Sequence, residues 1–499
     1  MNGEGYNRGH MRSDKNKRVK GTPGFSKFTR FWSIIYLLAA GAFVWMLYYS
    51  NMLPNKYLYA ATGVVALLTA LTFPGLFFYR FKKSRRVICL VLSLLFIAGY
   101  GAGLYYLDGT LNFVSKVTSI SVQTEDYYVV VKKDSTAKSE DDIKGQTVGT
   151  YLTNELNYST AKNELQKDED VKYDMSDSLS VLSGGLLNGK YKSIFISKGH
   201  FTTMCEQSNE FQSGSRILYT VKVKLDDKDI TKQVDVTKQP FNIYVSGLDT
   251  EGTIDVTSRS DVNMIVTVNP KTHTVLLTSI PRDYQIHLKS KGGASDKLTH
   301  TGLYGVNETV NSVEELMGID INYYLKVNYT TVVGLVNAIG GIDVNSDYTF
   351  TTSGMSTIYT FYEGKNHLDG SMALAFARER HAFADGDLQR NKDQQKVMAA
   401  VIKKATSSKT ILTKYSSILG AVEDNMETNL SGNEIKSLVK MQLSDMSGWK
   451  IRKQDLVGTG TLTQCYSTGD YEVYVMEPDQ TSIISAVDKI VGVMEGTNK

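Results

Sequence analysis

Ser258–Ile286 reads SRSDVNMIVTVNPKTHTVLLTSIPRDYQI, and the pairing of this stretch decides the fold. Val262–Val268 and Thr274–Ile280 are rich in β-branched and apolar residues, and Asn269-Pro270-Lys271-Thr272 between them is turn chemistry. Such a pattern predicts an antiparallel hairpin. Its pairing sets the start of the first strand beside the end of the second, so Arg259 and Asp261 meet Arg282 and Asp283 at one sheet rim. Phe241–Ser246 (FNIYVS) is another strand candidate and ends in Gly247-Leu248-Asp249. If it runs parallel to the second hairpin strand, Asp249 reaches that rim too. Two arginines and up to three carboxylates suit a metal-bridged phosphate, because guanidinium forks grip phosphate oxygens and carboxylates hold a hard cation against them. On this stretch alone, solvated rim ion pairs are an equally good reading.

A second group of charges lies in ALAFARERHAFADGDLQRNKDQQKVMAA, residues 373–400, which reads as two helices around an Asp385-Gly386-Asp387 turn. Arg390 and Gln394 are four apart and share a helix face. Arg378 and Arg380 are two apart and are expected to face differently, so that only one reaches a central ligand. Lys297 follows Asp296 in a polar loop and fits either a phosphate contact or an exposed loop lysine. His381 stands beside the arginines without a nucleophile–base pattern, and no GxSxG, HExxH or Walker loop occurs. The helical stretches Leu303–Met317 and Val332–Ile339 are apolar on more than one face. They read first as core helices, and second as walls of a long apolar channel.

The chain of 499 residues has room for two or three domains. Its net charge of +3 conceals a segregation: residues 1–107 hold 14 Lys and Arg against 2 Asp and Glu, leaving 41 basic and 50 acidic residues beyond. An acidic remainder argues against nucleic-acid binding, which wants a broad basic face. Cys89, Cys205 and Cys465 are too few for a disulfide framework or a zinc site. Residues 1–30 are polar and basic and read as a disordered tail. Phe31–Ser50, Tyr57–Tyr79 and Val87–Leu107 contain no Lys, Arg, Asp or Glu, and each is long enough to cross a bilayer. The tail and Arg80–Arg86 (RFKKSRR) are strongly basic, so the N-terminus and second linker are expected in the cytoplasm and everything after Leu107 outside. Four regions follow: a basic cytoplasmic tail (1–30), three membrane helices (31–107), an α/β accessory domain (108–239) and a catalytic domain (240–499, core motifs 241–404). Ile143–Gly149 and the helix after it resemble the first βα unit of a solute-binding lobe, and no ligand constellation accompanies them; a spacer or protein-contact role fits.

Arg259-Ser260-Asp261, Ile280-Pro281-Arg282-Asp283, Asp296-Lys297-Leu298, Val336–Val344 (VNAIGGIDV) and Arg378…Asp387…Arg390…Gln394 occur in an order that resembles the LytR-CpsA-Psr family of Gram-positive bacteria. The three membrane helices and intervening domain are most similar to its CpsA-type members of streptococcal capsule synthesis. The resemblance implies an α-β-α sandwich with a central mixed sheet. It also implies a Mg²⁺-dependent phosphotransferase at the outer membrane face, moving a capsular-type polysaccharide from undecaprenyl pyrophosphate to peptidoglycan at N-acetylmuramic acid. On the matching positions, Asp249 and Asp261 would hold Mg²⁺. Arg259, Arg282, Lys297, Arg378, Arg380, Arg390 and Gln394 would hold the pyrophosphate, with Arg282, Asp261 and Arg378 catalytic and the prenyl chain in an apolar tunnel. Capsule-assembly proteins are further partners of this reading. Many members carry an arginine directly before the glutamine; here it is Asp393, which leaves the head group one positive charge poorer. A lipid pyrophosphate hydrolase shares every one of these residues, and a lipid-sensing receptor signalling through the basic tail is the alternative from another class.

Overall fold

The structure, a computed structural model, describes residues 23–78, 81–118, 123–153, 155–225, 228–252, 254 and 257–497. Helices α1 (Pro23–Ser50), α2 (Asn55–Phe77) and α3 (Lys83–Val117) are each long and apolar enough to cross a membrane. Helix α1 starts at Pro23, so residues 23–30, expected in the polar tail, are helical. Proline's fixed φ suits a first helical turn, and Arg30 Nε donates to the Phe77 carbonyl at 3.1 Å. The rest of the expected tail, residues 1–22, lies outside the described residues. Helix α3 runs on to Val117, past the expected end at Leu107. Within this helical unit, Trp32 Nε1 donates to Ser93 Oγ at 2.9 Å, and Tyr36, Ala40, Val65 and Tyr100 form a buried seam.

Residues 112–499 make a second compact unit with two main sheets. The first is built in chain order from β1 (Thr124–Lys132), β2 (Thr147–Tyr151), α4 (Leu156–Glu169), β3 (Lys172–Ser176), α5 (Leu179–Leu187), β4 (Ser193–Ser197), α6 (Lys198–Gln207), α7 (Asn209–Gly214) and β5 (Ser215–Lys224). Its strand order is β3-β2-β4-β1-β5, parallel at β2 and antiparallel around β1. The Val129-Val130-Val131 run of β1 is buried on both faces, which fixes this strand in the interior. The boundary expected near Pro240 thus divides two sheets inside one compact unit.

The second sheet begins with β6 (Phe241–Leu248), β7 (Ser260–Asn269) and β8 (Thr274–Ser279). After it come β9 (Gln285–Leu288), β10 (Ala294–Lys297), α8 (Leu298–Thr301), α9 (Val306–Met317), β11 (Tyr323–Val327) and α10 (Tyr329–Ile339). The small strands β12 (Ile342–Ser346), β13 (Phe350–Thr351), β14 (Thr360–Phe361) and β15 (Gly364–Leu368) lead to α11 (Gly370–Arg378) and α12 (Asp387–Ala405). The chain ends through α13 (Ser408–Val422), β16 (Met426–Thr428), α14 (Gly432–Asp445), β17 (Lys450–Asp455), the hairpin β18 (Gly458–Gln464) and β19 (Glu472–Pro478), and α15 (Gln480–Met494).

Strand order in this sheet is β16-β11-β6-β7-β8-β17. Strands β7 and β8 pair antiparallel with Asn269 opposite Thr274, the hairpin read from Ser258–Ile286. Strand β6 pairs antiparallel with the other edge of β7 and therefore runs parallel to β8, the condition under which Asp249 reaches the rim. Alternation sends the two side-chain sets to opposite layers. Tyr244, Ile265 and Leu276 pack with α9 and α15, whereas Val245, Met264 and Leu277 pack with Met398 and Ile402 of α12. The result is a helix–sheet–helix sandwich around a mixed sheet. Helix α10 starts at a reciprocal cap in which Asn328 accepts from Thr331 N and Thr331 Oγ1 accepts from Asn328 N. It stops at Gly340, whose φ of 82° is left-handed.

Two buried groups join the sheets. Lys291 Nζ lies 3.2 Å from Glu125 Oε1 and 2.8 Å from Glu155 Oε2, under the Tyr304 ring. Burial holds Glu155 above the ordinary carboxylate range even with this lysine beside it. His200 of α6 is buried with Nε2 3.3 Å from the Tyr466 carbonyl, and burial pushes its pKa down to about 4. Lys291→Met strands two buried carboxylates, and a urea titration should show a loss of ~3–5 kcal/mol. For His200 the folded pKa lies below the unfolded value of ~6.5, so its contribution is complete above that pH and lost as pH falls towards about 4. His200→Gln should flatten the acid limb of a stability–pH curve across that window.

Candidate active site

A cavity of about 850 Å³ opens between the rim of the central sheet and the layer of α10, α11 and α12. Along the sheet its wall is apolar, with Val245, Met264 and Leu325 facing Leu335 of α10 and Val397 and Val401 of α12. Helix α10 therefore lines a channel, while α9 keeps to the core on the opposite face. At the rim the wall is charged. Asp249, Arg259, Asp261, Arg282, Lys297, Arg378, Arg380, Arg390 and Gln394, the nine residues singled out from the sequence, all line it.

Local structure explains how they converge. Gly247 pairs with Val262 and Leu248 with Ser260, so Asp261 is the extra residue of a β-bulge. A bulge bends the strand end and re-aims its side chains, and here it turns Asp261 to Arg282 and Thr299. Asp261 Oδ2 accepts from Arg282 Nη1 at 2.8 Å and Oδ1 from Thr299 Oγ1 at 3.1 Å. Tyr329 donates to Asp249 and carries the Arg378 guanidinium over its ring at 4.2 Å. Lys297 Nζ lies 3.2 Å from Asp283 Oδ1. Asp296 beneath it accepts from Ser467 N and Oγ and lies 2.8 Å from His300 Nδ1, so a buried carboxylate orients both His300 and the lysine's backbone.

Arg378 and Arg380 both reach the cavity, against the expectation that only one would. The helical rule fails because α11 ends at Arg378 and Glu379 is extended. Glu379, missed in the sequence, makes this turn. One of its carboxylate oxygens accepts from the backbone N–H groups of Arg380, His381 and Ala382, and the other from Ser353 N. Burial works against its charge, but these four donors outweigh it and hold Glu379 below the usual range. The signal was the carboxylate in Arg378-Glu379-Arg380. Asp387 was also passed over as a site residue; it lies 3.1 Å from Arg390 Nη2 and 3.8 Å from Arg380 Nη1. Burial and the neighbouring Asp283 hold Asp387 above the carboxylate range, whereas Lys297 and Arg282 keep Asp283 below it against the effect of burial.

The arginines are not fully satisfied. Among the described residues, the Nε atoms of Arg259, Arg282 and Arg390, and Nη2 of Arg390, are buried without a hydrogen-bond partner. Arg390 Nη2 is within ion-pair distance of Asp387 but lacks hydrogen-bond geometry. Burial opposes the charge of Arg282, yet Asp261 and Asp283 outweigh it and its pKa is raised; at Arg390 burial wins and the pKa is lowered. Buried guanidinium N–H groups cost free energy when left unmade, and together they outline a place for a multiply charged anion. Asp393 does not enter it. It pairs with Lys396 at 2.9 Å and accepts from Gln389, outside the cavity.

Among the described residues no group of three His, Cys, Asp or Glu is placed to hold a metal by itself. Magnesium, however, is commonly held by one or two carboxylates together with substrate phosphates and water. Asp249 and Asp261 offer hard oxygen donors of that kind beside the arginines of the rim, and the donor set fits.

Residues 209–486 match the LytR_cpsA_psr family, more than half of the chain, and the protein belongs to that family. The polyisoprenyl-teichoic acid–peptidoglycan teichoic acid transferase TagU of Enterococcus faecalis is 34% identical over 258 residues, covering 50% of this chain and 82% of that protein. TagU of Bacillus mycoides is 37% identical over 238 residues, 46% of this chain and 75% of that protein. Among solved structures, that of B. subtilis TagV has 29% identity and a TM-score of 0.44, covering 52% of this chain and 99% of its own.

A thermal-shift titration should show that inorganic pyrophosphate raises the melting temperature, since a ligand that binds only the folded state stabilises it. Arg390→Gln should remove most of that shift while leaving the ligand-free melting temperature within a few degrees.

Proposed function

We propose that the chain is a phosphotransferase that moves a capsular-type polysaccharide from undecaprenyl pyrophosphate to the N-acetylmuramic acid of peptidoglycan at the outer membrane face. The observation that carries this reading is the amphipathic cavity. Buried guanidinium nitrogens without a hydrogen-bond partner among the described residues stand at its rim, and an apolar channel runs inward between sheet and helices. A pyrophosphate on an isoprenoid chain has that division of polarity. The family relatives support the reaction class, since TagU is named as a transferase of polyisoprenyl-linked teichoic acid to peptidoglycan. The three apolar helices support a multi-pass membrane protein, and the basic tail and second linker support a cytoplasmic N-terminus.

In the proposed reaction a sugar hydroxyl attacks the phosphorus that carries the polymer. The new P–O bond forms as the bond to the lipid phosphate breaks, and the hydroxyl proton passes to a rim carboxylate, Asp261 or Asp283. Arg282 and Arg378 take up charge on the departing lipid phosphate, with Arg259, Lys297, Arg380, Arg390 and Gln394 orienting the pyrophosphate. Such a transfer is governed by positioning and charge stabilisation rather than by a covalent nucleophile. Magnesium held by Asp249 and Asp261 would neutralise phosphate charge. Burying a methylene from water is worth ~0.8 kcal/mol, but this lipid leaves an apolar bilayer, so the rim contacts set affinity and the channel sets chain selectivity.

Mass spectrometry of lipid co-purified with the full-length protein tests the reading. Polyprenyl phosphate or pyrophosphate should accompany the wild type and be lost from Arg282→Ala and Arg390→Ala. Leu335→Trp, which fills the channel without touching the rim, should lose it as well. A wild-type protein that carries no lipid and takes up none when supplied would overturn the assignment, and free phosphorylated polymer as the sole product would make the enzyme a hydrolase.

A further inference from the structure

Helix α6 belongs to the first sheet, yet Thr203, Glu206 and Gln207 on it line the cavity at the rim. Its placement is fixed one turn at a time along a single face. His200 meets the Tyr466 carbonyl, Thr203 Oγ1 donates to the Ser467 carbonyl at 2.9 Å, and Glu206 follows three residues later. There Arg259 Nη1 and Nη2 donate to Glu206 Oε1 and Oε2 at 2.5 and 2.7 Å, a two-pronged pair. A carboxylate in this pose occupies the same fork that a phosphate would take.

The two partners differ in freedom. The Arg259 side chain is 16% exposed and that of Glu206 48%. Among the described residues Glu206 accepts hydrogen bonds from Arg259 alone, so rotation of its side chain frees the guanidinium into the cavity and breaks no other hydrogen bond among them. Arg259 Nε is buried without a hydrogen-bond partner among the described residues even with Glu206 in place, so the arginine retains a donor for an anion.

Resting on the reading of the cavity as a pyrophosphate site, we infer that Glu206 is an internal competitor for Arg259: it sets the affinity of the head-group site by having to yield when a lipid phosphate binds. The first sheet then takes part in the site through this residue, beyond acting as a spacer. Only the Glu206 partner is half exposed, and its removal should shift affinity by a factor of roughly two to five.

Binding of farnesyl pyrophosphate to the full-length protein in detergent micelles, compared between wild type, Glu206→Gln and Glu206→Ala, tests this. Competition predicts that both variants bind two- to five-fold more tightly and that the gain shrinks as salt is raised. A carboxylate that merely holds Arg259 in place predicts the opposite sign, so unchanged or weaker binding in both variants overturns the inference. Arg259→Gln in the Glu206→Gln background should abolish the gain. Absence of farnesyl pyrophosphate binding by the wild type and both variants alike would instead remove the pyrophosphate reading, and the competition with it.

Discussion

Six cationic side chains converge on one end of a sheet, and their mutual repulsion in a partly buried place is the constraint that shapes this half of the molecule. Each has a specific partner: Asp261 for Arg282, Asp283 for Lys297, Asp387 for both Arg390 and Arg380, Glu206 for Arg259, and the Tyr329 ring for Arg378. The carboxylates offset much of the charge, and the nitrogens without a hydrogen-bond partner among the described residues are where the proposed anion would bind. The Asp261 bulge, the Glu379 turn and the Asp296 network are devices for holding this arrangement. None is needed by the sheet itself.

The hairpin was legible because β-branched runs and an Asn-Pro turn are local signals, and local signals survive folding. Once β6, β7 and β8 were paired, strand direction brought Asp249, Arg259, Asp261 and Arg282 to one rim, while the bulge that aims Asp261 was not legible. The rest lay in contacts between distant residues. Arg378 and Arg380 share the cavity only because Glu379 breaks the helix between them, and its partner Ser353 is far away in sequence. Helices α9 and α10 have similar composition, but one packs in the core and the other lines the channel, according to which face of the sheet each meets. Glu206 was invisible because its meaning depends on docking one sheet against another.

That docking is polar and buried. Lys291 with its two glutamates, His200 against Tyr466, and Asp470 accepting from Leu179 N and Ser178 Oγ tie the first sheet to the second. Pairs of this kind add less stability than apolar contacts but tolerate few alternative arrangements. A side chain delivered from the first sheet to the rim is thereby placed with accuracy, as α6 places Glu206.

The apolar channel also bears on the economy of the core. A sandwich normally closes its helices onto the sheet with side chains interlocked at the density of an organic crystal. Here Val245 and Met264 on the sheet and Leu335, Val397 and Val401 on the helices face a gap instead. The core is in this sense unfinished, and under the proposed function a hydrocarbon chain seated there would complete it. Under the proposed function, loading would stiffen the helical layer and unloading would loosen it, so occupancy of the cavity and rigidity of this domain would become one variable.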